Sequence, residues 1–213
     1  RIFAGKDLKV GHSIFEFSSP GLGQIIAGAG VDFVFLDMEH SGFGITETKG
    51  IIAGLRAGNV PALVRPPSNA YHHIARALDV GADGLAMPMV GSAAEAEHIV
   101  SCMKYPPMGK RGVALGIAHD RYRPGDTAKT LADANRRTAF AALIETEEGV
   151  RNIDAIARVK GVDCLWIGHF DLSSSRGING QFDHPDFIKA TNAVKRAAKK
   201  HNKALGRLTS DAA

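Results

Sequence analysis

The sequence predicts an α/β fold of the TIM type, a (β/α)8 barrel whose last one to two β/α units are missing from this chain. Three observations predict it. Short apolar runs alternate with amphipathic helix patterns, the alternation recurs about every 32 residues, and polar residues gather just past the ends of several different runs.

The strand-like runs are residues 14–17, 33–38, 62–65, 84–89, 140–144 and 164–168. They are short and continuous, as expected of strands covered on both faces. Helix patterns occupy residues 22–29, 46–57, 72–80, 93–103, 147–159 and 185–201, and a seventh strand is expected at 204–208. Thr46 before Glu47, and Ser92 ahead of Glu95, read as helix starts; Gly30, Gly58, Gly81 and Gly161 read as helix ends. Strand–helix units with right-handed crossovers build a parallel sheet. An open dinucleotide-binding sheet would want GxGxxG after its first strand, but Gly21-Leu22-Gly23 is followed by Gln24, Ile25 and Ile26, so that motif fails. Eight units need about 250 residues. The natural protein is therefore expected to continue past Ala213, and also to begin upstream of Arg1, where the chain opens without Met. The chain is read as a single barrel domain. Residues 104–138 depart from the repeat and are expected as a long loop serving as a lid, binding loop or interface arm.

Composition removes several classes of function. A hydrophobic fraction of 45% with 23% charged residues is that of an ordinary globular domain. The net charge of +4 is spread out, its densest part being Lys195, Arg196, Lys199, Lys200 and Lys203, with no aromatic residues interleaved. That pattern is a solvated helix face, and no nucleic acid partner is expected. No run of about 18 apolar residues is present, so no membrane span is expected. Cys102 and Cys164 lack CxxC spacing and read as buried free thiols, consistent with a reducing cytoplasm.

The chemistry-bearing residues sit at strand ends. Glu145 and Asp171 each close an apolar run. Two carboxylates with waters and a bidentate oxygen ligand suit Mg2+ or Mn2+; the competing account makes each a cap of the following helix. Asp37, Glu39 and His40 end the second run, where a carboxylate could orient an imidazole for proton transfer, although a loop histidine is commonly a surface residue. Arg65 ends the third run and would be costly to bury without an anion, which could be a substrate or, in a structural salt bridge, Asp37 or Glu39. On one barrel rim these residues would make a set for enolate chemistry, with a cation acting as Lewis acid on a 2-oxo acid. Arg65 would add charge at the same oxygen and His40 would move the hydroxyl proton. No lysine lies in or just after the first six runs, which argues against a Schiff base. Met87-Pro88-Met89 reads as a pocket wall, and His72 and His73 as the surface start of the third helix.

Leu-Asp-Met-Glu-His (36–40), Val-Arg-Pro (64–66), Tyr-Pro-Pro-Met-Gly-Lys-Arg-Gly (105–112), Ile-Glu-Thr (144–146) and Asp-Leu-Ser (171–173) together resemble the HpcH/HpaI aldolases, in family order and over nearly the whole chain. The resemblance implies a divalent cation (Mg2+ or Mn2+, with Co2+ an option) on Glu145 and Asp171. It implies pyruvate held by that cation and Arg65, its carboxylate received by amides near Phe170 and Asp171. It also implies His40 as the acid/base paired with Asp37, Asp79 supplied by a neighbouring subunit, and homotrimers or homohexamers with the last helix exchanged beyond Ala213. Four residues depart from the family pattern: His169-Phe170 stands where many members have Pro-Ala, Leu143 where a Gln is expected, and Arg176 where an apolar residue is expected. Read as strand, residues 169–171 put His169 on the face of Asp171, as a further ligand or a group that orients one.

The function expected is a metal-dependent aldolase that joins or splits pyruvate and an aldehyde. Oxaloacetate decarboxylation on the same residues is the alternative, and a non-catalytic barrel scaffold is the alternative of another class. The retention of Glu145, Asp171, Arg65 and His40 argues against the scaffold.

Overall fold

Apolar runs in this chain become short parallel strands buried along their length. The computed structural model describes residues 2–3, 5, 7–123 and 125–209. Arg1 and residues 210–213, on which the expectations for the chain's start and end fall, lie outside them. The chain divides into two compact units, Arg1–Ala86 with Ser101–Ala139, and Met87–Val100 with Phe140–Ala213.

In the first unit β1 (Gly11–Ile14), β2 (Phe33–Asp37), β3 (Ala62–Arg65) and β4 (Gly84–Met87) pair in chain order, all parallel. Between them run α1 (Leu22–Gly28), α2 (Ile45–Ala57) and α3 (Tyr71–Asp79). Every residue of β2, β3 and β4 is buried. On the helix side Ile52, Leu55, Ile74 and Leu78 are almost fully enclosed, each burial worth about 1.5–3 kcal/mol.

β1 begins three residues earlier than the expected 14–17. Gly11 pairs with Phe33, and a Cβ there would meet the Phe33 ring, so only glycine lets the strand start at that point; Phe17 is left 78% exposed. β4 stops at Met87 rather than 89, because Pro88 lacks an N–H and Met89 has φ +55°. The second helix starts one residue before Thr46: Gly44 is its cap, and its N–H donates to Glu47 at 3.1 Å.

After α4 (Ala93–Met103), the segment expected as loop contains a short 3-10 turn (Ala118–Asp120) and α5 (Thr127–Arg137). Asp126 caps α5 by accepting the Lys129 N–H at 2.7 Å. The helix buries only Ala134 and Asn135, too little to leave an apolar stripe in the sequence. Polar bonds hold it instead. Buried Lys104 donates to the carbonyls of Asn135 (2.9 Å) and Thr138 (2.7 Å), and the Asn135 side chain exchanges two bonds with the Tyr105 backbone.

In the second unit β5 (Ala139–Ile144), beginning at its boundary, is followed by α6 (Glu147–Arg151) and α7 (Ile153–Arg158). These replace the single helix expected at 147–159. Asn152 interrupts it, its amide donating to the Gly91 carbonyl at 2.8 Å. The Ser92/Glu95 capping box forms as expected. β6 (Cys164–Ile167), α8 (His169–Ser175), α9 (Pro185–Lys200) and β7 (Ala204–Arg207) complete the unit, with β5, β6 and β7 parallel in that order. α8 starts two residues before Asp171, so Asp171 lies inside the helix that the capping account placed after it; His-Phe-Asp-Leu-Ser-Ser-Ser has no helical periodicity to mark that start. Both cysteines are buried free thiols, their pKa raised by burial. No helix among the described residues is long and apolar enough to cross a membrane.

Candidate functional site

In the first unit, strand register decides the pairing. Asp37 ends β2 and Arg65 ends β3, and they are partners across the ladder. The Arg65 guanidinium grips the Asp37 carboxylate with two nitrogens, the Nε bond being 2.9 Å, and Nε also lies 3.3 Å from a Glu39 oxygen. Arg65 is 6% exposed and Asp37 fully buried. The Phe35 ring lies 5.5 Å from the guanidinium, a cation–π contact. Burial raises the Asp37 pKa, but the Arg65 bond and charge, with the Glu39 and His40 amides, outweigh it and hold the carboxyl below its ordinary value.

The salt-bridge account of Arg65 is thus what the geometry contains, with both candidate carboxylates taking part. His40 differs from its expected pairing. Asp37 accepts the His40 backbone N–H at 3.4 Å, while the imidazole Nε2 lies 3.7 Å from Glu39 and its side chain is 60% exposed. Asp79 ends α3 and accepts a bond from buried Arg111, whose guanidinium is stacked 4.6 Å over the Tyr105 ring. His73 bonds Ser68 at 2.8 Å.

In the second unit Glu145 follows β5 and is only 3% exposed. It is not a helix cap, because Thr146 has that role, accepting the Gly149 N–H at 3.0 Å. One carboxylate oxygen accepts the Met89 N–H at 2.8 Å. The other faces Gly168, the cap position of α8, where any Cβ would overlap the Glu145 side chain. Ile144 is the ladder partner of Ile167, so the register brings the two next residues together. Asp171 stands exposed in the first turn of α8, after the cap position rather than at it.

The expectation that His169 shares a face with Asp171 is corrected by α8. Two residues apart on a helix is about 200°, not a strand's same-side period. His169 nonetheless feels Asp171: burial and the Arg207 charge lower its pKa, and Asp171 raises it. Phe170, next to it, is 66% exposed. Leu143 is a buried β5 residue, and Arg176 is the cap residue after α8.

Among the described residues no three His, Cys, Asp or Glu side chains form a metal-holding group. Any cation on Glu145 and Asp171 would need further oxygen ligands from solvent or substrate, which is the habit of Mg2+ and Mn2+. The donor set fits such an ion: Glu145 is buried, hydrogen-bonded on one oxygen and cradled on the other side by a residue without a side chain. Met89 and Gly168 were missed as parts of this arrangement. The Pro88-Met89 pair could have signalled the end of a strand, but a left-handed methionine leaves no mark in sequence.

Comparison with known proteins gives concordant findings. A family model described as HpcH/HpaI aldolase/citrate lyase matches residues 16–213. The 5-keto-4-deoxy-D-glucarate aldolase of Shigella boydii is 34% identical over 203 residues, covering 95% of this chain and 78% of that protein. A hydroxypyruvate/pyruvate aldolase of Pseudomonas aeruginosa is 34% identical over 194 residues, covering 91% and 72%. The crystal structure of an HpcH/HpaI aldolase from Desulfitobacterium hafniense superposes with TM-score 0.91 at 33% identity, covering 96% of this chain and 79% of that one.

Proposed function

This chain belongs to the HpcH/HpaI aldolase/citrate lyase family and is a carbon–carbon lyase, and on that premise we propose that it is a (β/α)8-barrel aldolase splitting a 4-hydroxy-2-oxo acid into pyruvate and an aldehyde. The observation that carries the proposal is Glu145, a buried carboxylate held by the Met89 amide against Gly168, with Asp171 three residues further on. A buried carboxylate oxygen beside a residue without a side chain is the kind of hard donor that a divalent cation takes.

In this reading Glu145 and Asp171 hold the cation, which supplies Lewis-acid polarisation of the 2-oxo group when bound. The amides of Phe170 and Asp171 receive the substrate carboxylate, and Arg65 adds positive charge at the C2 oxygen. His40 takes the proton from the 4-hydroxyl. As it does so the C4–O bond becomes a carbonyl, the C3–C4 bond breaks, and its electron pair passes to the C2–C3 unit as an enolate. Protonation at C3 then gives pyruvate, with no oxidant or reductant consumed. Asp37 fixes Arg65 and, through two backbone amides, the turn that carries His40. Asp79 is proposed to serve a neighbouring copy in a trimer or hexamer, held in place by Arg111.

Pyruvate release from a 4-hydroxy-2-oxo acid is expected to stop on chelation and return with Mn2+ or Mg2+. Glu145→Gln is expected to weaken Mn2+ binding, measured by calorimetry, by at least about tenfold. Full turnover after complete metal removal overturns the proposal.

A further inference from the structure

Between α8 and α9 three aromatic rings meet beside Asp171. His169 lies 4.5 Å from Phe170 and 5.0 Å from Phe182 between ring centroids, and Phe170 lies 5.4 Å from Phe182 in an edge-to-face arrangement. Two of the rings are open to solvent, Phe170 at 66% and Phe182 at 36%. Such exposure is common for a single surface phenylalanine. Here the cluster is built and fixed. The hydroxyl of fully buried Ser173 donates to the Phe170 carbonyl at 2.7 Å and accepts the Gly180 N–H at 3.0 Å. The Ile178 N–H donates to the Ser173 carbonyl at 3.0 Å. These bonds clasp the turn after α8 onto the helix and bring Phe182 to Phe170. Behind it, Phe182 rests 5.4 Å from buried Phe187 on α9.

We infer that His169, Phe170 and Phe182 form a preorganised aromatic shelf that selects the aldehyde half of the substrate, favouring flat aryl groups over polyhydroxylated ones. The inference rests on the aldolase reading above, and names the acceptor class that reading leaves open. A substrate anchored at Asp171 is within a side chain's reach of the shelf, since residues 169 and 170 precede Asp171 on the same turn.

The chemistry of the shelf decides what it prefers. A site that recognises hydroxyls needs donors and acceptors placed for them, and it rejects analogues that leave those groups unpaired. This shelf offers one imidazole and otherwise ring faces and edges. An aryl group can extend the edge-to-face set already present, whereas a hydroxylated chain would lose water contacts and recover few bonds.

The test compares two substrates that release the same pyruvate: 4-hydroxy-2-oxo-4-phenylbutanoate and 4,5-dihydroxy-2-oxopentanoate, assayed on the Mn2+-loaded protein. The wild-type kcat/KM ratio is expected to favour the phenyl substrate. Phe182→Ala is expected to shrink that ratio about tenfold, and Phe182→Tyr to preserve most of it; circular dichroism checks that each variant is folded. A wild-type preference for the dihydroxy substrate, or an unchanged ratio in folded Phe182→Ala, overturns the inference while leaving the aldolase reading intact. So does a Phe182→Ala variant whose subunit mass falls apart with its ratio unchanged, which would make the shelf a contact between copies. No pyruvate from either substrate would instead overturn the reading beneath it.

Discussion

His40 offers its imidazole to solvent and to Glu39, while the Asp37 carboxylate is committed to Arg65 and two backbone amides. The two residues therefore have separable tasks. His40→Ala is expected to lower aldol cleavage by about 100- to 10,000-fold and to leave oxaloacetate decarboxylation within a few-fold, since decarboxylation involves no hydroxyl proton. Equal losses in both assays would remove His40 from the hydroxyl. Asp37 has a stability consequence of its own. Its folded pKa is depressed, so its contribution is complete above the unfolded value of about 3.9 and is lost as pH falls through the folded value. Asp37→Ala, which removes the two-nitrogen grip on buried Arg65, is expected to cost about 3 kcal/mol near neutral pH and progressively less below about pH 4. Urea titrations of both proteins between pH 7 and pH 2.5 measure this, and a difference that grows with acid contradicts it. Sequence made Arg65 conspicuous because a guanidinium after three apolar residues demands an anion. It could not show which carboxylate meets Arg65, because that lies in the β2–β3 register.

At the scale of elements, the buried strands and their helices were legible because continuous apolar runs and 3.6-residue stripes encode burial directly. α5 and α8 were not. The first is held by Lys104 and Asn135 bonding to backbone, and the second is a seven-residue turn whose role is to carry Asp171 and Phe170. Polar bonds between distant segments have no period to read. The end of β4 is similar: Met89 leaves the strand in a left-handed conformation and so aims its N–H at Glu145. A β-branched residue there is strained by about 1–3 kcal/mol, whereas glycine is not. Met89→Val is therefore expected to weaken Mn2+ binding about tenfold and Met89→Gly to change it little, by calorimetry. Equal affinities in the two variants would show that this backbone conformation does not position Glu145.

For the whole molecule, the proposed transfer of Asp79 between copies predicts complementation. His40→Ala and Asp79→Ala are each expected to be nearly inactive. In a trimer reassembled from equal parts of both, about a quarter of the sites would combine an intact His40 with a neighbour's intact Asp79. Recovered activity near that fraction supports the exchange, none at all argues that Asp79 acts within its own chain, and an active Asp79→Ala protein removes Asp79 from the reaction. At the C-terminal end of α9, Lys200 and the cap residue His201 both pair with Asp154. By itself the sequence determined the α/β class, the placement of Asp37, Arg65 and Glu145 at strand ends, and the family, because each is carried by local pattern or by short motifs in order. Only the tertiary structure decided that Asp37 grips Arg65, that Gly168 makes room for Glu145, and that residues 169–175 coil into a helix presenting an aromatic shelf. Those outcomes depend on strand register and on hydrogen bonds between segments far apart in the chain, and a linear pattern holds neither.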